Sequence, residues 1–293
     1  MERELVALGD RIKYLAALIL FGTNGVIASQ IHLASAQIVL LRTGIGSALL
    51  LLIFLLKGGR FHIRSHGRSY FWLTISGIAM GGSWMLLYEA YHYVGVSIAS
   101  LCMYSSLALV MLSSVFLFHE AVTPQKIICF LVSAGGTLLV NLSAFSEKLS
   151  PHGIFLGMMA CLSYAVMIIT SKFSSAVPDL ERSSWQLIVS FLLTVIYTAC
   201  RGELIFSIPM GDLLWVLLLG LLNTGVGCYL YFSSIGKLPA QTIAICDNIE
   251  LLSAVLSAVI FLGEQQTAPQ SFGAVMILAG AVCSGIRFRK KTY

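Results

Sequence analysis

The sequence predicts an all-α integral membrane protein: ten transmembrane helices arranged as two inverted five-helix repeats. Three observations lead there. Of 293 residues, 58% are hydrophobic and only 11% are Asp, Glu, Lys or Arg, against roughly 25% charged in a soluble domain. The few charges lie between apolar runs of about twenty residues, the length that crosses a hydrocarbon core about 30 Å thick. A pattern in the first half also returns, 144 residues later, in the second.

The spans fall at about 14–33, 36–56, 69–92, 96–118, 125–143, 152–172, 184–200, 211–235, 240–262 and 270–287. The first, preceded by Met1 to Lys13, is too long for a signal-peptide core and lacks a clear cleavage site, so it is expected to stay as a span. All six prolines (Pro124, Pro151, Pro178, Pro209, Pro239 and Pro269) lie in connections or at helix starts, where a missing N–H costs nothing. Gly77-x-x-x-Gly81 and Gly153-x-x-x-Gly157 permit close helix packing.

With the N-terminus inside, fifteen of the eighteen basic residues lie on the cytoplasmic side, which predicts cytoplasmic termini. Lys148 and Arg201 fall outside, and Arg42 falls within a span. A multi-pass protein of the cytoplasmic (inner) membrane, with lipid bilayer around it and no nucleic-acid partner, is the expectation. The seven cysteines form no CxxC pair and sit mostly inside spans, where a small buried hydrophobe explains them. No metal and no cofactor is expected.

Five spans per half is an odd number, so the second half is inverted relative to the first, as in secondary transporters. The division is placed at 143/144. Its punctuation is Glu120-x-x-Thr123 followed by Pro124-Gln125, against Glu264-x-x-Thr267 with Pro269-Gln270 after one inserted residue, then Ala134-Gly135 against Ala279-Gly280. Thr123 and Thr267 are read as caps of the next helix, with Glu120 and Glu264 beside its positive end.

Ionisable groups inside a bilayer are costly, about 2.5–3.5 kcal/mol at a helix centre, and so are site candidates. Asp247 and Glu250 share one face of the ninth span, with Asn248 as a polar neighbour. They suit proton coupling or a cationic substrate, or else hold helices together as buried partners. Arg42 reaches the interface with its long side chain, takes a substrate carboxylate, or pairs with Glu89 or Glu250. Glu89 and His92 lie among Trp84, Tyr88, Tyr91 and Tyr93, a group that reads as an interfacial belt or as a box for a cation.

Several short motifs occur in order: Phe21-Gly22-Thr23-Asn24, Leu41-Arg42-Thr43, Tyr88-Glu89-Ala90-Tyr91, Ser97-Ile98-Ala99-Ser100, Phe118-His119-Glu120, Leu162-Ser163-Tyr164-Ala165 and Leu262-Gly263-Glu264. With these the sequence resembles the drug/metabolite transporter superfamily, in particular its ten-helix EamA-type members, over about residues 14–287. The resemblance implies a central cavity, alternating access and carriage of small organic metabolites, and it places Asn24, Tyr104, Tyr164 and Tyr229 on cavity-lining spans. Many members carry a proline in the middle of the fourth and ninth helices, where this chain has Leu107 and Leu251. Gating by a proline kink is thus not expected here, unless the 26 glycines supply the flexibility instead.

The functional expectation is a secondary active transporter of a cationic or zwitterionic small molecule, such as an amino acid or quaternary amine, with or without coupled protons, acting as a monomer. A channel or structural membrane protein is the alternative. A membrane enzyme is disfavoured because no HExxH, nucleophile elbow or phosphate-binding glycine loop is present. His62 and His66 are read as a solvated loop pair without an acidic neighbour.

Overall fold

The computed structural model describes residues 2–142, 150–204, 207–263, 265 and 267–285. Among them are the ten expected helices. α1 runs Glu2–Gly22 and resumes after Thr23 as Asn24–Ala28; α2 is Ser35–Leu56, α3 Gly67–Gly95, α4 Ile98–Phe116 and α5 Pro124–Val140. The second half repeats the order with α6 Pro151–Lys172, α7 Asp179–Cys200, α8 Leu213–Ile235, α9 Ala240–Leu262 and α10 Ala268–Gly285. Eight are long and apolar enough to cross a membrane, and α5 and α10 are shorter. At about 1.5 Å per residue, the 17 residues of α5 reach only about 25 Å.

Most helix ends follow from local chemistry. Pro124 and Pro151 open α5 and α6, capped by the hydroxyls of Thr123 and Ser150. Thr267 forms a reciprocal cap with Gln270, whose Oε1 accepts from the Thr267 N–H at 2.9 Å. Glu264 lies outside the described residues. The α3–α4 boundary is a single residue, Gly95, at φ 73° and ψ 170°, a conformation open to glycine and strained for other residues.

The closest packing runs between the halves rather than within them. α1 lies on α8 and α9, and its counterpart α6 lies on α3 and α4. α2 packs on α7 and α8, and α7 on α2 and α3. α4 crosses α9, and α5 crosses α10. Adding five to each helix number maps this set of contacts onto itself, the relation expected of an inverted repeat. The tightest crossing is α5 on α10, where a Cβ on Gly136 would stand 2.6 Å from the Gly273 carbonyl oxygen. Gly77 and Gly81 meet α7, and Gly153 and Gly157 meet α3 and α4, so both GxxxG stretches are contact faces.

Phe155, Ile196, Ile260, Phe272 and Val275 are exposed around the circumference, as a lipid-facing surface requires. Ion pairs gather at two ends. On the face where α1 begins, Lys237 bridges Asp10 (3.5 Å) and Asp179 (2.7 Å), and Arg182 bonds Asp179 (3.0 Å) and the Phe232 carbonyl (2.6 Å). Glu120 there departs from the expected placement. Its carboxylate accepts from the N–H groups of Ala240 (2.6 Å) and Gln241 (3.2 Å), so it serves the positive end of α9 rather than that of α5.

His62 also departs from expectation. Both oxygens of the buried Glu181 are engaged by it, one by its backbone N–H (2.8 Å) and one by its Nδ1 (3.2 Å), and the Tyr70 hydroxyl adds a third bond. The opposite face carries a matching clasp, with His32 N–H at 2.7 Å and Nδ1 at 3.1 Å from the two oxygens of Asp212.

Candidate substrate pocket between the two halves

α9 is two helical pieces, Ala240–Cys246 and Asn248–Leu262, separated at Asp247. The Asn248 side chain helps to divide them, because its Nδ2 donates to the carbonyls of Ala244 (3.3 Å) and Ile245 (3.2 Å) in competition with the backbone. The Glu250 N–H turns to the Asp247 carbonyl, three residues back, at 3.1 Å. α4 breaks at the matching level, where the Ser105 hydroxyl donates to the Leu101 carbonyl at 3.0 Å and Ala108 N–H reaches back three residues to Ser105. Both helices are therefore interrupted close to Leu107 and Leu251 with no proline present.

The break leaves Asp247 at the centre of a phenol cluster, with 1% of its surface exposed. Tyr14 of α1 donates to its Oδ1 at 2.6 Å and Tyr164 of α6 to its Oδ2 at 2.9 Å, while Tyr231 of α8 stands at 3.3–3.4 Å from both. The Tyr164 and Tyr231 oxygens are 3.1 Å apart, and the rings of Tyr14 and Tyr231 stack at 5.4 Å. A carboxylate in apolar surroundings needs such donors.

Above this floor, toward the face opposite the start of α1, lies a pocket of about 410 Å3. Its polar wall is Asn24, Arg42, Trp84, Tyr164, Tyr231 and Glu250, and its apolar wall includes Phe21, Met80, Met103, Met167 and Phe232. Arg42 is 3% exposed. Its Nε donates to Thr224 Oγ1 at 3.0 Å, Nη2 reaches Asn24 Oδ1 at 3.5 Å, and the guanidinium lies 4.4 Å from the centre of the Trp84 ring, a cation–π contact. No carboxylate among the described residues lies within 4.0 Å of Arg42, and no cation or hydrogen-bond donor is held by Glu250. The two opposite charges line one pocket without neutralising each other by contact.

α8 supplies the seat for Arg42 through an irregularity. Residues 218–226 form a π-helix, in which the Thr224 hydroxyl donates five residues back to the Leu219 carbonyl at 2.9 Å. The wider turn presents Thr224 to Arg42 and Asn223 to α1, where Asn223 Nδ2 donates to the Leu20 carbonyl (2.7 Å), Thr23 Oγ1 (2.8 Å) and Asn24 Oδ1 (3.0 Å). Local π-turns of this kind recur at functional sites.

The structure thus brings Asp247, Glu250, Arg42, Asn24, Trp84 and Tyr164 together and leaves other sequence candidates elsewhere. Asn248 turns away, accepting from Thr137 of α5 at 2.7 Å, and with Tyr104 it lines a separate groove beside α4 and α5. Glu89 and Tyr88 lie at a shallower pocket near the end of α3. Glu89 pairs there with Arg201 at 2.9 Å, not with Arg42. Tyr229 packs against the hydrophobic core. Tyr14, Tyr231, Asn223 and Thr224 were not among the sequence candidates; polar side chains recurring in otherwise apolar runs are the signal that marks them.

A family model of the EamA-like transporter family matches the chain twice, over residues 12–142 and 151–286. The chain belongs to the EamA-like transporter family. It is a multi-pass membrane transporter of the drug/metabolite superfamily. A Bacillus subtilis (strain 168) protein named "Uncharacterized transporter YxxF" is 25% identical over 290 residues, covering 96% of this chain and 90% of that protein. An Archaeoglobus fulgidus "Uncharacterized transporter" is 28% identical over 187 residues, 64% of this chain and 66% of its own length. A solved structure titled "Crystal structure of protein" superposes with a TM-score of 0.81 at 16% identity over 94% of this chain and 97% of that one, which shows a shared fold.

Proposed function

We propose that the protein is a secondary active transporter that carries a small cationic or zwitterionic organic metabolite, such as an amino acid or quaternary amine, by alternating access. One observation carries this reading: Arg42 and Glu250, opposite in charge and not in contact, face the same pocket of about 410 Å3 between the halves. Glu250 suits a substrate cation, and Arg42 suits a carboxylate, which a guanidinium meets with two parallel bonds. The thioethers of Met80, Met103 and Met167 adapt to side chains of varied shape.

The Asp247 cluster is the proposed proton-handling element, because three phenols can hold either a charged or a neutral carboxyl. The face bearing Asp10, Lys237 and Arg182 is proposed to be cytoplasmic, with both termini on that side of the cell membrane, and the monomer to be the working unit. A thermal-shift screen of metabolites on purified protein tests the substrate class, since a ligand bound only by the folded state raises the unfolding midpoint. Amino acids or quaternary amines are expected to raise it for the native chain and not for Glu250→Gln. A response only to anions, or one unaffected by Glu250→Gln, would contradict the assignment.

A further inference from the structure

A groove of about 750 Å3 lies on the flank between α1, α9 and α10, away from the transport pocket. Its walls are mostly apolar, among them Leu15, Ile249, Leu278, Ala281 and Val282. Its polar rim lies at one end, where Arg11 stands near the start of the α1 span and Ser284 at the end of α10. From Thr242 to Ile249 on α9, and from Ser284 to Leu278 on α10, the groove runs about 10 Å along the helices, roughly two thirds of one leaflet of the hydrocarbon core.

The rim charge identifies the ligand chemistry. Neighbouring cations at this end are paired, Lys13 with Asp10 at 4.0 Å and Lys237 with Asp10 and Asp179. Arg11 has no carboxylate within 4.0 Å among the described residues, although it stands half-buried at the mouth of the groove. The sequence places Arg287, Arg289, Lys290 and Lys291 soon after Ser284. A guanidinium with no carboxylate partner among the described residues, at the headgroup end of an apolar channel, matches a phosphate joined to an acyl chain.

We infer that this groove is a binding site for an anionic glycerophospholipid, with one acyl chain along α1, α9 and α10 and the phosphate on Arg11. The site adjoins the transport centre. Tyr14, part of its wall, donates to Asp247, and Cys246, also in the wall, precedes Asp247 in the chain. A bound acyl chain closes the lateral approach from the bilayer to that carboxylate.

The test is thermal unfolding of delipidated, detergent-purified protein titrated with phosphatidylglycerol, with phosphatidylcholine of identical chains, or with glycerol 3-phosphate. Phosphatidylglycerol is expected to raise the midpoint by several degrees more than phosphatidylcholine, and glycerol 3-phosphate to leave it unmoved. Arg11→Gln should abolish the preference for phosphatidylglycerol, Arg11→Lys should keep most of it, and Lys57→Gln, an exposed basic residue away from the groove, should keep all of it. Equal shifts from both lipids, an undiminished preference in Arg11→Gln, or a shift from glycerol 3-phosphate alone would overturn the assignment. Should Arg11→Gln fail to fold, alkylation of Cys246 in the native chain decides, read against the exposed Cys283. It is expected to be at least about threefold slower in phosphatidylglycerol nanodiscs than in phosphatidylcholine nanodiscs, and equal rates would overturn the proposal.

Discussion

Asp247 keeps its place through donors from three helices, so each phenol is a separate handle on one carboxylate. Tyr14→Phe removes the shortest of these bonds, 2.6 Å, and is expected to cost about 1–3 kcal/mol of stability, measured by unfolding in detergent. The His32–Asp212 clasp sets a different pH response. Hydrogen bonds from the His32 ring and then from its backbone N–H hold the Asp212 carboxyl below the usual range. The folded state thus prefers the ionised form, and the clasp stabilises it above an ordinary carboxylate pKa of about 3.9 and fades as pH falls below that. Acid titration of the unfolding midpoint should show this extra loss in the native chain and not in Asp212→Asn. These residues also show what was legible. Asp247, Glu250 and Arg42 stand out in the sequence because a charge in an apolar run demands a reason. Tyr14, Tyr231 and Thr224 do not, since a hydroxyl is cheap there and its role depends on which helix faces it. His62 read as solvated loop because its partner Glu181 lies 119 residues away.

Among the elements, α9, α4 and α8 carry departures from regular helix, and each has a local cause. The spans were legible from hydropathy alone, with Gly95 falling in the predicted gap between 92 and 96. Gly95→Ala, which puts a Cβ on a residue at φ 73° and ψ 170°, is expected to destabilise by about 1–3 kcal/mol, read as a lowered unfolding midpoint with the ligand response retained. The interruptions at Ser105 and Asp247 were not legible, because the expected signal was proline and the actual agents are side chains bonding to nearby carbonyls. The π-turn at 218–226 was equally hidden, since an extra residue in a turn leaves the hydropathy of a span unchanged.

For the molecule as a whole, the odd helix count and the 144-residue register predict the inversion, and the helices of each half pack on partners in the other. In the proposed alternating-access cycle, closure of one face rests on contacts that have to break. Lys237, bridging Asp10 and Asp179, is one. Partial burial opposes its charge, but the hydrogen bond to Asp179 and the two carboxylates more than offset this and raise its pKa. The bridge therefore holds throughout neutral pH and weakens only as pH rises past the ordinary lysine value of about 10.4. Its side chain is 42% exposed, so a contribution of about 0.5–1 kcal/mol is appropriate. Lys237→Gln should open that face two- to fivefold more often, on the order expected from such an energy, seen as faster alkylation of Cys228, which lines the pocket. The central claim is that substrate is held between Arg42 and Glu250, and counterflow of a labelled amino acid or quaternary amine into proteoliposomes tests it most directly. Saturable counterflow by the native chain, cut at least about tenfold in Glu250→Gln, is the predicted result; a non-saturating leak, or counterflow undiminished in Glu250→Gln, would contradict it.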